Sequence, residues 1–274
     1  MTRTARTENN IRLTLLTWNL HGLPWPITKD LTGRIDRVAA KIRELSPEIA
    51  MLQEAWRAAE TERLVRALQP EWTPFFASGR MNRPRGGLLG FARTGSGWRL
   101  TRPPDFHAFA SSAPAWKFWE GDGLSGKGAL VLNFERGGDR FTVVNTHMQS
   151  PYPGIDYAAV RESQLAELGG IVANLDRAAP VIVAGDFNTD PREPLYSAIA
   201  ALGTDLTVDL RERSGCGTIF DWRDGRQEWI DYLVAANSPA WAASGELELI
   251  RNRGRDDPYS DHNGLFAKIA ITPR

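Results

Sequence analysis

The chain has one cysteine, Cys216, so an internal disulfide is excluded and the fold must be held by its own core. With no motif around it, Cys216 reads as a small buried thiol rather than a nucleophile. No segment reaches the roughly 18 uninterrupted apolar residues of a membrane-crossing helix, and the opening "MTRTARTENN" has no apolar signal core. The expectation is cytoplasmic residence, or secretion if a signal was removed, since "IRLTLLTW" already reads as a first strand. Net charge is also missing: 33 Lys plus Arg balance 33 Asp plus Glu. No global field therefore attracts a polyanion, which leaves only a local basic patch open. Repeats, low-complexity tracts and linkers are lacking as well.

What remains is 274 residues, 42% of them hydrophobic, enough for one large α/β core. Residues 9–274 are expected to form a single domain and 1–8 a disordered N-terminus. "DLTGRIDRVAAKIREL" spaces Leu31, Ile35, Val38, Ile42 and Leu45 as one helical face, and Ser46-Pro47 stops it. "EIAMLQEA" predicts a strand ending at Glu54, and "ETERLVRALQP" a second helix. "GALVLNFERGGDRFTVVNTHM" predicts a hairpin around Gly137-Gly138-Asp139. A helix over 157–175 follows, and "APVIVA" predicts a buried strand. "EWIDYLVA" and "GLFAKIAI" supply late strands. Residues 103–127 read as a long exposed loop, a length that is usually functional or disordered.

The strands end on unusual residues. "LLTWN" ends on Asn19, "AMLQE" on Glu54, "VVNTH" on His147, and "VIVAGDFN" on Asp186 and Asn188. Asp231 lies in "WIDYL", and Asp261-His262 precede the last strand. Each has a bland reading: Asp186 and Asn188 an Asx-turn, Asn19 a turn residue, Glu54 a helix cap, His147 a satisfied core histidine. Together they fit better with one site at the end of packed sheets, because buried acids and amides are costly unless paired or bound to a metal.

"TWNLHG", "LQEAW", "NTHMQS", "GDFNTDP", "WIDYL" and "YSDHNG", in that order over residues 17–264, resemble the six signature blocks of the endonuclease/exonuclease/phosphatase superfamily. The resemblance implies a four-layered α/β sandwich, two mixed β-sheets flanked by helices, as in DNase-I-like proteins. It also implies a divalent-metal-dependent phosphoester hydrolase. Phosphodiesters resist attack because their charged oxygens repel nucleophiles, so a catalyst must neutralise charge and activate water. In that scheme Glu54 and Asn19 offer hard oxygen ligands suited to Mg²⁺ or Mn²⁺, and no cysteine pair or HExxH motif points to zinc. His262 is the expected general base and Asp231 its orienting partner. Asp186 and Asn188 are expected to align the water, with Asp186 contributing to a second metal position if one exists. His147 would donate to a phosphate oxygen, Asn19 would also touch substrate, and Asp261 is taken as a metal-linked carboxylate. His21 and His107 receive no catalytic role.

Family membership leaves the substrate open. Asp122-x-x-Ser125-x-Lys127-Gly128 is similar to the D-x-x-S-x-K-G lid motif of neutral sphingomyelinases, which implies that Lys127 binds substrate phosphate; a flexible turn entering a strand is the plainer reading. Trp116, Phe118 and Trp119 suit a lipid interface, or pin the loop to the core. The expected partner is a phosphodiester, with a choline phospholipid at a membrane surface favoured. Against the lipid reading, Trp241 is the one tryptophan between Asp231 and Asp261, so the aromatic hairpin of secreted bacterial sphingomyelinases is missing. A nuclease is the alternative, on Arg80, Arg83 and Arg85, and a phosphomonoesterase is also open.

Overall fold

A computed structural model of the chain describes residues 10–80, 83–113, 126–152, 154–176, 179–220, 225, 227–252, 254 and 258–274. The expected disordered N-terminus and Trp116, Phe118, Trp119, Asp122 and Ser125 lie outside the described residues. In chain order come β1 (Ile11–Asn19), α1 (Leu31–Leu45), β2 (Ile49–Gln53), α2 (Ala58–Leu68), β3 (Trp72–Phe75), β4 (Leu89–Arg93), β5 (Arg99–Leu100) and β6 (Asp105–Ala108). The hairpin β7 (Gly128–Arg136) and β8 (Asp139–His147) leads to α3 (Ala158–Ala173), β9 (Val181–Asp186), α4 (Tyr196–Leu202), β10 (Gly203–Asp205) and α5 (Val208–Ser214). The chain closes with β11 (Ile219–Phe220), β12 (Gln227–Glu228), β13 (Asp231–Ala236), β14 (Trp241–Ile250) and β15 (Gly264–Pro273).

Two mixed sheets carry the fold. One runs β14-β15-β1-β2-β4-β3, and the other β10-β13-β9-β8-β7-β5 with β6 also on β7. Their parallel pairs are β1 with β2 and β8 with β9. Because side chains alternate across a strand, β1 serves two cores. Ile11, Leu13 and Leu15 pack toward β7, β8 and β9, while Leu16 and Trp18 join Ile35, Val38 and Ile42 of α1 and Leu64 and Leu68 of α2. Leu165, Leu168 and Val172 of α3 and Ile199 of α4 belong to the core of the second sheet. The expected architecture is the one observed.

A buried polar clip joins the sheets at the end where the site lies. Gln53 Nε2 donates to Asn145 Oδ1 at 2.7 Å, and Asn145 Nδ2 to the Leu52 carbonyl at 3.0 Å. Such bonds are costly to leave unmade in a dry core, so they fix how β2 and β8 face each other.

The sequence reading departs from the structure at several places: Cys216, expected to be buried, is half-buried, and α4, β10 and α5 were not anticipated. Of the expected loop 103–127, residues 114–125 lie outside the described residues, and the rest is not a plain exposed loop: β6 pairs with β7, and Phe109, Ala113 and Lys127 are buried. The ten-residue strand β14 was not expected at all. It lies at a sheet edge with only two of its ten residues buried, so "WAASGELELI" shows neither strict alternation nor an apolar run.

Candidate active site

Strand register builds one side of the site. His147 is the partner of Asp186 across the parallel pair β8–β9, and Asp186 is the partner of Asp231 across the antiparallel pair β9–β13. Three of the candidate side chains therefore stand abreast on neighbouring strands. The other sheet brings Asn19 at the end of β1 and Glu54 one residue past β2. Asn19 Nδ2 spans the two sheets, donating to Glu54 Oε1 at 3.1 Å and to Asp186 Oδ2 at 2.9 Å.

The loop before β15 adds Asp261 and His262. Ser260 Oγ donates to the Asn19 carbonyl at 2.6 Å, Trp18 Nε1 donates to the His262 carbonyl at 3.0 Å, and His262 bridges Ile219. The buried Arg34 of α1 ties the same loop to the end of β1, donating to the carbonyls of Tyr259 and Leu20. His262 Nδ1 lies 2.8 Å from Asp231 Oδ2, which leaves Nε2 facing the site, 3.8 Å from Asp186 Oδ2. Burial disfavours a charged ring there, yet the Asp231 carboxylate outweighs it and holds the His262 pKa well above the ordinary imidazole value.

Asp186 is fully buried between opposing demands. Burial, then the neighbouring Asp231 charge, push its carboxyl up to about 7, while Asn19 donates to it and the Asn188 backbone N–H donates to Oδ1 at 2.9 Å. Asn188 takes a left-handed backbone at φ 49 and anchors its own Nδ2 on the Met148 carbonyl at 3.0 Å. So "GDFN" is both of its sequence readings at once: an Asx-type turn, and a carboxylate aimed into the site.

Lys127 is buried, with Nζ 2.7 Å from His147 Nε2. An ammonium only donates, so the His147 ring accepts there and is held neutral. Burial, Lys127 and His262 all lower its pKa, far below the usual histidine range. His147 Nε2 is also 3.5 Å from Asp186 Oδ2 and 3.8 Å from Glu54 Oε1.

All nine residues singled out from the sequence converge here, with two differences in detail. Asn19 turns Nδ2 toward the carboxylates and commits Oδ1 to the His21 N–H at 2.9 Å, so it presents a donor rather than the expected metal-ligating oxygen. Asp261 gives Oδ2 to His21 Nδ1 at 3.0 Å and lies 4.0 Å from His262 Nε2. Burial opposes ionisation of both partners, but their pairing pulls Asp261 well below the carboxylate range and raises His21. His21 is thus a site residue that sequence reasoning passed over, although it lies inside "TWNLHG". Trp56, inside "LQEAW", is another: its ring centroid is 6.0 Å from Lys127 Nζ, and its indole N–H points at Glu54 Oε2 at 3.4 Å. His107 pairs with Asp105 on the exposed β6.

The donor set fits a hard divalent cation. The ligating atoms of Asp186, Asp231 and His262 lie within 4.8 Å of one another, Glu54 joins Asp186 through Asn19, and no sulfur is involved. A buried carboxyl pushed to about 7 beside a second acid is a charge arrangement that a cation would relieve.

Among curated proteins, the chain is 27% identical over 202 residues to an inositol phosphosphingolipids phospholipase C of Schizosaccharomyces pombe, covering 72% of this chain and 46% of that protein. It is 24% identical over 311 residues to a putative neutral sphingomyelinase of Caenorhabditis elegans, covering 98% and 70%. The chain therefore spans under half of the first relative. Among solved structures, humanized D. rerio TDP2 superposes with a TM-score of 0.75 at 18% identity, covering 94% of this chain and 98% of that one. Sphingomyelinase C from Streptomyces griseocarneus does so at 0.65 and 18%, covering 94% and 99%. The Endonuclease/Exonuclease/phosphatase family model matches residues 16–262, which include all nine residues brought together at the site, and the chain belongs to that family.

Proposed function

We propose that this chain is a divalent-metal-dependent phosphodiesterase of the sphingomyelinase-like, phospholipase C type. The observation that carries the reading is Lys127, a buried ammonium set against His147 beside Asp186 and Glu54. A fixed positive charge in an acid-rich site suits the oxygens of a phosphate group. The relatives named as an inositol phosphosphingolipids phospholipase C and a putative neutral sphingomyelinase support a lipid rather than a nucleic acid as the ester.

In this mechanism His262, oriented by Asp231, takes a proton at Nε2 from the water that attacks phosphorus. The bond from phosphorus to the lipid oxygen breaks as the new one forms, the leaving oxygen takes a proton from a solvent water, and His262 returns the proton it took to solvent. Asp186 and Asn188 align the water, Asn19 keeps Asp186 and Glu54 together, and Lys127 meets the phosphate oxygens while His147 Nε2, which accepts from it, positions its ammonium in place of the expected donation from His147 itself. Glu54 and Asp186 would hold Mg²⁺ or Mn²⁺, which supplies charge neutralisation at the phosphate when bound. Asp261, held by His21, supports the same acidic cluster.

A nuclease is the second reading. It is favoured by Arg80, Arg83 and Arg85, which are exposed on the segment whose Gly87 carbonyl accepts from the Ala55 N–H next to Glu54. A panel of sphingomyelin, a lysophospholipid, plasmid DNA and bis-p-nitrophenyl phosphate, each with Mg²⁺, Mn²⁺ or chelator, separates the two. The lipid reading expects phosphocholine release and intact DNA. Ready DNA cleavage with no phosphocholine under any metal condition overturns it.

A further inference from the structure

The turn that leaves the site after His21 carries the two most exposed large apolar side chains among the described residues. Trp25 is 79% and Ile27 59% exposed, against 38% for Ile155, the next. Scattered exposed hydrophobics are ordinary, but these two share one tip, "PWPI", flanked by exposed Pro24 and Pro26. The tip is tied down behind: Thr28 is buried, and its Oγ1 donates to the His21 carbonyl at 3.1 Å.

The backbone of this tip is also unusually dry. Pro24 and Pro26 have no N–H, and the amides of Ile27 and Thr28 both donate to the Pro24 carbonyl, at 3.0 and 3.3 Å. Of the five residues 24–28, only Trp25 keeps an uncommitted backbone donor. Unsatisfied amides are what makes a loop expensive to bring into a lipid interface, and here nearly all are already paired. Trp25 has an apolar ring with one indole donor, the side chain favoured at the headgroup level. Beside it, Lys29 is exposed while the adjacent Asp30 is paired with Arg37 at 3.1 Å, so the uncompensated local charge is positive, matching an anionic headgroup.

We propose that the 24–29 turn is a lipid-surface contact, with Trp25 and Ile27 entering the headgroup–acyl boundary and Lys29 facing lipid phosphate. The proposal rests on the lipid reading of the site, and it gives that reading a geometry. The turn starts three residues after His21, whose Nδ1 holds Asp261, so a bilayer seated on it lies at the edge of the catalytic cluster.

The test is co-sedimentation of the full chain with sphingomyelin/phosphatidylcholine vesicles, with and without phosphatidylserine, in chelator so that no substrate is consumed. Wild type should bind, more tightly with phosphatidylserine. Trp25→Ala/Ile27→Ser should lose about tenfold or more in vesicle affinity, Trp25→Phe should retain most of it, and Lys29→Glu should remove the phosphatidylserine effect. Hydrolysis of bis-p-nitrophenyl phosphate should be unchanged in all three, which shows that the site is intact. Vesicle binding by the double variant equal to wild type overturns the contact. So does a Trp25-dependent self-association without vesicle binding, which would make the tip a protein interface. Trp25-dependent binding without phosphocholine release would instead leave the contact standing and remove the substrate reading.

Discussion

Asp186 and Asp231 face each other as direct partners on adjacent antiparallel strands, and of the two only Asp231 has a histidine nitrogen at 2.8 Å. The pair is thereby split: Asp231 supports a charged His262, while Asp186, buried beside it, is pushed up to about 7. A buried acid with a strongly shifted pKa beside a paired acid and histidine is a common catalytic arrangement.

Asp231→Asn tests the first half of that arrangement. Because Asp231 raises the His262 pKa, a base at this position gains activity as pH rises through the raised value. The substitution should shift that rise toward acid pH and lower the rate by about 10²- to 10⁴-fold. The pH dependence of kcat/KM at saturating Mg²⁺ reads both effects, and an unchanged profile would remove the dyad from the mechanism.

Chelation should abolish turnover, and Mg²⁺ or Mn²⁺ should restore it. Glu54→Gln keeps the shape but removes a ligand charge, so it should weaken cation binding in calorimetry and cut the rate by about 10²-fold or more with Tm little changed. Full activity after exhaustive chelation would rule out the metal.

Lys127→Met should lower kcat by about 10²-fold. It should also raise the His147 pKa, since Lys127 is the charge next after burial in holding it down. The titration of the His147 ring resonance by NMR checks the second point; no upward movement would mean that the Nζ contact does not control the ring.

Gly185 precedes Asp186 with φ 141, and a Cβ there would lie 2.0 Å from the Thr146 carbonyl oxygen on β8. Gly185→Ala should force β9 away from β8, costing more than about 2 kcal/mol and moving Asp186 out of register. A wild-type Tm together with wild-type activity would contradict this.

Asp190 anchors the turn after the site by accepting from the Arg192 backbone and guanidinium and from the Trp229 N–H. Burial works against its charge, but the Arg192 and Trp229 bonds prevail and its pKa is lowered. A depressed folded pKa stabilises the fold above the ordinary carboxylate value, and that contribution is lost as pH falls through the lowered one. Asp190→Asn should cost about 1–3 kcal/mol at neutral pH and flatten the acid limb of Tm against pH. A parallel acid limb in the variant would assign it to other groups.

Local pattern in the sequence determines the helices α1, α2 and α3, the double-glycine hairpin joining β7 to β8, and the alternation of β1 between two cores. These depend on neighbours three, four or two residues away, which composition and spacing report directly. The chemistry of the strand exits was also legible, because acids, amides and histidines at the ends of apolar runs need a reason in any fold. The tertiary structure alone decided the register that sets His147, Asp186 and Asp231 abreast and the closure of Asp231 on His262 across 31 residues. It alone turned the Asn19 amide so that its nitrogen joins two carboxylates, and paired His21 with Asp261. It also placed β14, whose edge position leaves too few buried side chains to mark it in sequence. Strand pairing and side-chain orientation are set by contacts between distant segments, and no local periodicity encodes which partner a strand will meet or which atom of an amide will face it.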